Sequence, residues 1–564
     1  MGGRLSVLVI GGYGTFGGRL VELLEGEPRL TLIVAGRSAA KAAAFCKSRA
    51  HAKATLVPSA FDRDRDSDAQ LTALRPDIVV DASGPFQAYG ERPYRVIEAC
   101  IAGGIDHLDL ADGSDFVAGV RAFDASARAA GRYILSGVST CPVLTAAVTR
   151  RLSREMVRVE SIRAGISPSP YSPVGENVVR AIAAYAGRRI ALRRNGESGT
   201  GYPFTEQMRF TIAPPGRVPL RSTLFSLVDV PDLRALPELW PEADSFWVGA
   251  GPVSAALHRL LIGLAWLVRL GLLPSVSPFA TLMHFVRSHL RWGEHRGGMF
   301  VEVAGANADG AQIRRSWHLL AEGDDGPFIP AMAVAALVRR ALDGRTPVPG
   351  ARAAVRELEL EDYEHLFSGR AIATGIRNDA LCNSTPLYAR MLGTAWDELP
   401  VEIRAMHNVE HEALAEGRAS VERGRSVFAR FAGWIAGFPG AAADTPVTVR
   451  FDVVDGVETW TRKFGNDSFS SRQFAGRGRW DKLLCERFGP LVFAMALVRD
   501  GAKLSLVLRG WSVFGVRLPM SLCLRMEAHE TVEDGRFCFH VDVGHKLTGP
   551  IVRYRGWLVP VQCP

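Results

Sequence analysis

The strongest constraint on the fold lies near the N-terminus, where an apolar run, a glycine-rich turn and an amphipathic stretch follow one another. Leu5 to Ile10 is almost uninterruptedly apolar, which is typical of a strand buried on both faces of a parallel sheet. The turn that follows contains the spacing G-x-G-x-x-G at Gly12, Gly14 and Gly17, and a helix is predicted over 18–24. This order predicts a Rossmann-type domain, in which the helix N-terminus holds the pyrophosphate of a dinucleotide.

The second strand, predicted over 30–35, indicates which dinucleotide the site favours. A site specific for NAD usually carries Asp or Glu after this strand, to bind the ribose 2′-hydroxyl. Here Arg37 and Ser38 follow Gly36, and a guanidinium suits a 2′-phosphate by charge and by bidentate geometry. The sequence therefore predicts NADP, with NAD as the alternative. The alternative for Arg37 is a solvated residue that starts the next helix.

Strands and helices continue to alternate through residues 1–140. Because this alternation is typical of a doubly wound parallel sheet, the predicted class is α/β, and residues 1–140 are interpreted as the dinucleotide-binding domain. The turn Ser83-Gly84-Pro85 follows the fourth strand, near the point where nicotinamide and substrate meet in such folds. The later strands are predicted over 54–57, 77–82, 107–110 and 133–136, with helices over 94–102 and 116–130.

Four segments of this domain resemble the saccharopine dehydrogenase-like oxidoreductases: GGYGTFG, AGRS, DIVVDASGPFQAYGERPYRVIEAC and GIDHLDLADG. The resemblance implies that the turn and Arg37 bind the dinucleotide and that Ser83, Gly84 and Pro85 line the nicotinamide ribose. Tyr13, within the turn, and Ser38, beside Arg37, are included in the predicted site. The turn residues of that site are Gly12, Tyr13, Gly14, Thr15, Phe16 and Gly17. The sequence shows no clear group of residues suited to binding an amino acid with several carboxylates. The resemblance therefore does not imply lysine biosynthesis.

The proton donor is harder to predict than the cofactor site. No lysine lies between Lys53 and Lys463, so a pocket built from that stretch has no lysine base or Schiff base. The remaining candidates are Asp109, Asp112, Tyr89, a histidine of the middle segment, or bound water. We expect Asp109, at the end of the fifth strand, to face the crevice and act as the acid. The alternative is that Asp109 caps the following helix.

Two further domains are predicted. Residues 141–368 are interpreted as an α+β substrate and dimerisation domain, and residues 369–386 as a linker. Residues 387–564 are interpreted as an α+β domain, in which helices over 387–399 and 401–414 precede an antiparallel meander of six to eight strands. This part resembles an uncharacterised bacterial domain that is often fused behind saccharopine dehydrogenase-like proteins. The residues that carry this resemblance are Arg423-Gly424, Phe464-Gly465 and Tyr554-Arg555-Gly556-Trp557.

One pentapeptide, His407 to His411, matches the H-x-x-E-H pattern of inverted zinc proteases, with both histidines predicted on one helical face. A third ligand is not evident in the sequence, so we expect no metal. The eight cysteines include no C-x-x-C pair, which favours neither disulfides nor a cysteine zinc site and fits a reducing compartment.

The most apolar segment, 257–273, reads LHRLLIGLAWLVRLGLL. Its charge-free run between Arg259 and Arg269 is about half of what a membrane-spanning helix needs. We expect a buried or interface helix, with a helix on a membrane surface as the alternative. The net charge of +8 is scattered along the chain, so binding of nucleic acid is not expected.

These features predict an NADP-dependent oxidoreductase that transfers a hydride to or from a C=O, C=N or activated C=C bond. The apolar segment 257–273 and the aromatic meander favour a lipophilic small molecule as its substrate. The alternative is a non-catalytic sensor or scaffold that retains NADP and whose C-terminal domain binds a hydrophobic ligand or partner. We expect a cytoplasmic protein, with peripheral membrane contact through 257–273 and a homodimer as further hypotheses.

Overall fold

The structure is a computed structural model that describes residues 3–173, 175–251, 255–289, 293–378, 385–435 and 437–561. Contacts divide the chain into two compact units. The first unit comprises residues 1–208, 224–316 and 320–372, and the second comprises residues 209–223, 317–319 and 373–564. Each unit has its own hydrophobic core. The predicted linker over 369–386 lies in part, at 379–384, outside the described residues.

The N-terminal part of the first unit alternates strands and helices. Its elements are β1 Leu5–Ile10, α1 Thr15–Leu24, β2 Leu30–Gly36, α2 Ala39–Ser48, β3 Thr55–Ala60, α3 Ser67–Leu74, β4 Ile78–Asp81, α4 Arg95–Ala102, β5 Asp106–Asp109, α5 Ser114–Gly119, α6 Asp124–Ala129 and β6 Tyr133–Ser136.

The middle of the chain mixes longer strands with helices. Its elements are α7 Thr145–Ser153, β7 Arg158–Ser167, α8 Glu176–Tyr185, β8 Ile190–Arg194, β9 Glu197–Gly201, β10 Gln207–Phe210, β11 Thr223–Leu227, α9 Asp232–Ala235, β12 Ser245–Ala250, α10 Ala255–Arg269, α11 Ala280–His289, β13 Arg296–Ala306, β14 Gln312–Glu322, α12 Ile329–Leu342, β15 Gly350–Ala353, α13 Leu360–Phe367 and β16 Ile372–Asn378.

The C-terminal part consists mainly of strands. Its elements are α14 Leu387–Leu392, α15 Val401–His407, β17 Glu412–Arg423, α16 Val427–Ile435, β18 Ala442–Val454, β19 Val457–Phe464, β20 Asp467–Ala475, β21 Leu484–Phe488, β22 Leu491–Asp500, β23 Lys503–Val513, β24 Val516–Arg517, β25 Arg525–Glu533, β26 Arg536–His545 and β27 Gly549–Val561.

The first sheet is parallel throughout and has the strand order β15-β6-β5-β4-β1-β2-β3. Without β15, this is the 3-2-1-4-5-6 order of dinucleotide-binding folds, so the predicted α/β class is confirmed. Val7, Leu8 and Val9 of β1 are fully buried, as the apolar run predicts for a central strand covered on both faces. The sequence analysis predicted no strand at β15, which pairs with β6.

The second sheet is mixed, and five of its strands lie in the order β11-β12-β7-β13-β14. Strand β7 pairs parallel to β12 and antiparallel to β13. Strands β13 and β14 form the predicted hairpin, and Gly310 in its turn adopts a φ of +77°. An α+β architecture for this part of the chain is therefore confirmed.

Helix α10 covers most of the apolar segment predicted over 257–273. Leu261 and Ala265 are buried in a small core, whereas Leu260, Leu267 and Leu270 are exposed. No helix within the described ranges is long and apolar enough to cross a membrane. One face of the helix is therefore packed on the protein, and its outer face also carries apolar side chains.

The third sheet closes on itself. Its strand order is β22-β21-β20-β19-β18-β17-β27-β26-β25-β23-β24. Strand β22 also pairs with β23, from Leu491 opposite Val513 to Asp500 opposite Lys503. This last pairing joins the two ends of the sheet into a ten-stranded antiparallel barrel, beside which β24 lies. The predicted meander is confirmed, but it has more strands than the predicted six to eight and is fully closed.

One predicted helix is wrong in its second half. The helix predicted over 401–414 ends at His407, and β17 begins at Glu412. The segment EALAEGRASVER is rich in good helix formers, but its pairing with both β18 and β27 outweighs this local preference. His407 and His411 consequently do not share a helical face.

The pairing of β17 with β27 leaves no room beside Gly417 of β17. A Cβ at this position would lie 1.8 Å from the carbonyl oxygen of Trp557 in β27. We therefore expect Gly417→Ala to lower the free energy of unfolding of the barrel by about 3 kcal/mol, because the two strands must separate. Gly440→Ala is the matched control, since its Cβ would meet its nearest atom at 3.4 Å. Chemical unfolding followed by circular dichroism measures both, and equal stability of the two variants would contradict the register.

Candidate functional site

The glycine-rich turn between β1 and α1 is held so closely that side chains do not fit at two of its positions. The Gly12 N–H lies 3.1 Å from the Val9 carbonyl oxygen, and a Cβ at Gly12 would lie 2.8 Å from that same oxygen. A Cβ at Gly17 would lie 2.2 Å from the Gly11 carbonyl oxygen. The first turn of α1 therefore packs directly on the carboxyl end of β1, while Gly14 and Thr15 stay exposed. This is the arrangement that a dinucleotide pyrophosphate requires at a helix N-terminus.

Tyr13 and Ser38 connect this turn to the end of β2. The Tyr13 ring lies over Gly36, where a Cβ would come within 2.6 Å of the tyrosine hydroxyl. That hydroxyl accepts a hydrogen bond from the Ser38 N–H at 3.1 Å, and the Ser38 side chain caps α2 by accepting from the Lys41 N–H. Arg37, between Gly36 and Ser38, is exposed at the carboxyl edge of the sheet. Arg37 thus follows the strand after which such folds bind the ribose 2′ position.

The loop after β4 lies against the same turn. A Cβ on Gly11 would be 2.9 Å from the Ala82 carbonyl oxygen and 3.0 Å from the Ser83 Cα. The peptide bond between Gly84 and Pro85 is cis. The structure therefore brings the predicted ribose-lining residues, Ser83, Gly84 and Pro85, next to the predicted pyrophosphate turn. In the first turn of α1, Phe16 is half-buried and Thr15 is exposed.

A cluster around Asp81 was missed by the sequence analysis. Asp81 is the last residue of β4, and its Oδ1 accepts hydrogen bonds from the Ser83 N–H at 2.9 Å and the Ser83 hydroxyl at 2.6 Å. Its Oδ2 accepts one from the Tyr89 hydroxyl at 3.1 Å, and the Arg63 guanidinium lies 3.4 Å from the centre of the Tyr89 ring. Burial raises the pKa of Asp81, and burial also raises the pKa of Tyr89, with the nearby Asp81 charge adding to it. An acidic residue that ends the fourth parallel strand is the signal that could have found this cluster.

Asp109 does not face a crevice, contrary to our expectation. The residue is 0% exposed, and its Oδ1 accepts hydrogen bonds from the N–H groups of Ala111 and Gly137 and from the hydroxyl of Ser136. These bonds join the end of β5 to the loop after β6. Burial raises the pKa of Asp109 to about 7, because the charged form loses its hydration. The geometry is that of a buried residue that holds two loops together.

The remaining candidates for proton transfer and metal binding are dispersed. Asp112 accepts a hydrogen bond from Gln87, and the buried His318 accepts one from the Ala213 N–H. His407 is fully buried and lies 2.7 Å from Glu530, whereas His411 is exposed. Within the described ranges, no group of three or more His, Cys, Asp or Glu residues could hold a metal ion.

Family models match both ends of the chain. Residues 7–135 match the saccharopine dehydrogenase NADP binding domain. Residues 399–558 match a family described as a domain of unknown function, DUF4166. No curated protein matches the chain.

Comparison with solved structures finds saccharopine dehydrogenase (L-Glu forming) from Saccharomyces cerevisiae at 15% identity and a TM-score of 0.49. The match covers 67% of this chain and 100% of the dehydrogenase. A meso-DAPDH mutant from Clostridium tetani is 12% identical over 64% of this chain and 96% of that chain, with a TM-score of 0.32. The WlbA dehydrogenase from Thermus thermophilus is 12% identical over 61% of this chain and 90% of that chain, with a TM-score of 0.27.

The glycine-rich turn, the doubly wound sheet and the family match agree on the identity of the N-terminal part. Residues 7–135 thus match the saccharopine dehydrogenase NADP binding domain in sequence and in fold, which supports an NAD(P)-dependent oxidoreductase.

Proposed function

We propose that this protein is an NADP-dependent oxidoreductase that acts on a C=O, C=N or activated C=C bond of a lipophilic small molecule. The observation that carries the proposal is the glycine-rich turn packed on the carboxyl edge of the sheet, with the exposed Arg37 at the end of the neighbouring strand. Carboxyl edges of open parallel sheets are where such folds bind dinucleotides.

The residues present fit NADP. The tight packing of Gly12 and Gly17 leaves the first turn of α1 free of obstructing side chains, so its N–H groups suit a pyrophosphate. Arg37 suits a 2′-phosphate, and Ser83, Gly84 and Pro85 suit the ribose at the other end. The cofactor, when bound, supplies or accepts the hydride, and the protein aligns the substrate with it and excludes water.

We assign the proton transfer to Tyr89 rather than to Asp109. Tyr89 is half-buried in the loop after β4, whereas Asp109 is enclosed. In the reducing direction, the Tyr89 hydroxyl gives its proton to the substrate oxygen or nitrogen. The Arg63 guanidinium over the ring stabilises the negative charge that develops on Tyr89. Asp81 accepts a hydrogen bond from the same hydroxyl and so orients it.

A lipophilic substrate is supported by the surface of the same unit. The outer faces of α10 and α11 expose several large apolar side chains, and such a surface suits contact with a membrane that holds the substrate. These side chains are Leu260, Trp266, Leu267, Leu282 and Phe285. The same surface supports the hypotheses of a peripheral membrane contact and of a homodimer.

Removal of Arg37 tests the cofactor preference. We expect Arg37→Ala to weaken NADPH binding at least tenfold and to leave NADH binding within about twofold, because only the 2′-phosphate loses a charged partner. A titration of nicotinamide fluorescence measures both affinities, with Arg65→Ala, another exposed arginine of the same domain, as the control. An unchanged preference in Arg37→Ala would place the 2′-phosphate elsewhere.

Removal of the Tyr89 hydroxyl tests the proton donor. The substrate is a lipophilic carbonyl compound that the wild type reduces. We expect Tyr89→Phe to lower kcat for this compound by about 100-fold and to leave the NADPH affinity unchanged. Tyr94→Phe is the matched control, since the Tyr94 hydroxyl donates to backbone carbonyl oxygens, that of Phe116 at 3.0 Å and that of Asp115 at 3.5 Å. If Tyr89→Phe retains wild-type kcat, the proton comes from another group.

The structural role assigned to Asp109 predicts a pH dependence of stability. Its pKa is about 7 in the folded chain and near 3.8 when unfolded, so the folded state holds a proton that the unfolded state releases. Stability is therefore lost as the pH rises between these two values. Between pH 5 and pH 8, we expect the free energy of unfolding to fall by up to about 3 kcal/mol more in the wild type than in Asp109→Asn. Chemical unfolding at both pH values measures this difference, and identical pH profiles would show that Asp109 is ionised in the folded protein.

A further inference from the structure

The C-terminal barrel encloses a cavity of about 510 Å³. The cavity lies inside a closed sheet of ten strands, and a barrel of this size is wider than its side chains can fill. Volumes of this order are typical of sites for small molecules. The barrel is therefore large enough inside to hold a ligand.

The wall of the cavity is mainly apolar and aromatic. Alternate residues of each strand point inward, so β26 contributes Phe537, Phe539 and Val541, and β18 contributes Val447, Val449 and Phe451. Trp460 and Phe464 of β19 extend this surface. Such a wall favours a ligand with little polar surface.

The charged groups on the inner wall are already paired within the barrel. Arg462 lies 3.1 Å from Glu486, and Ser471 donates a hydrogen bond to the same carboxylate. The inward-facing Glu530 lies 2.7 Å from His407 of α15. Among the described residues that line the cavity, no arginine or lysine other than Arg462 occurs. His529 and His540 also line it, and burial lowers the pKa of His529, which favours its neutral form. An anionic ligand would therefore meet two carboxylates and one engaged cation. The wall therefore disfavours a free carboxylate.

The two ends of the barrel differ. At one end, α14 and α15 lead into β17 and close the interior, with the rings of Tyr388 and His407 stacked at 3.7 Å. The antiparallel order places α16, the β21–β22 turn, the β23–β25 connection and the β26–β27 turn at the opposite end. Exposed apolar side chains are concentrated on these connections, which identifies this end as the mouth. They are Val427, Phe428, Phe431, Phe514, Val516, Leu522 and Leu547.

We propose that the barrel is a second binding site of this protein, which takes an uncharged lipophilic molecule through the mouth into the cavity. The size of the cavity, its aromatic wall and the pairing of its charged groups select this class over fatty acids and other lipophilic anions. The site lies wholly within the second unit and does not depend on the cofactor or on the reaction of the first unit.

The test uses the full chain and N-phenyl-1-naphthylamine, an uncharged fluorophore whose emission rises in apolar surroundings. We expect saturable binding of one probe per chain. Ala528→Phe fills the cavity from β25, and we expect it to weaken probe binding at least tenfold. Val454→Ser removes a 68% exposed apolar side chain at the end of β18 away from the mouth, and we expect it to leave the affinity within twofold. Undiminished binding to a folded Ala528→Phe would show that the probe lies on the surface, which overturns the proposal.

Competition at pH 8 tests the charge selectivity without any variant. We expect 1-dodecanol to displace the probe at concentrations at least tenfold lower than dodecanoate, because the two differ only in the headgroup. Equal displacement by both would overturn the preference for an uncharged ligand, and absence of saturable probe binding to the wild type would overturn the site itself. Binding of NADPH to the same sample is the control for a folded first unit.

Discussion

The close packing of α1 on the end of β1 is the constraint on which the function of the first unit depends. A methyl group at Gly17 would overlap the Gly11 carbonyl oxygen, and one at Gly11 would overlap the backbone after β4. The same contacts thus fix the helix N-terminus, the central strand and the loop of Ser83 relative to one another. Since these three elements together form the predicted dinucleotide site, the glycines act by excluding side chains from it.

Patterns that depend on local sequence were predicted well, and those that depend on partners distant in the chain were not. Strands β1 and β6 were predicted at their observed bounds, because a strand buried on both faces is a continuous apolar run. Strand β17 was predicted as part of a helix, since its alanine and glutamate residues favour a helix and only β18 and β27 hold it extended. Closure of the barrel depends on the pairing of β22 with β23 and was likewise not predicted from the sequence.

The two strand-end aspartates show the same limit within the site. Asp81 and Asp109 occupy equivalent positions at the ends of neighbouring parallel strands, so the sequence does not distinguish them. Their partners do: Asp81 is bonded to residues of its own loop, and Asp109 to Ser136 and Gly137, 27 and 28 positions further along. A hydrogen bond over such a separation becomes visible only when the sheet order is known. The sequence analysis chose Asp109, and its burial in the structure led us to propose instead the hydroxyl bonded to Asp81, that of Tyr89.

The central claim is that the glycine-rich turn binds NADPH, and a calorimetric titration of the full chain tests it most directly. The account predicts one NADPH bound per chain in the wild type and a loss of at least tenfold in affinity in Gly17→Ala, because the added methyl group displaces the first turn of α1. Gly3→Ala, which would meet no atom within 4 Å, should bind as the wild type does. Undiminished binding to a folded Gly17→Ala variant, or no binding to the wild type, would contradict the account.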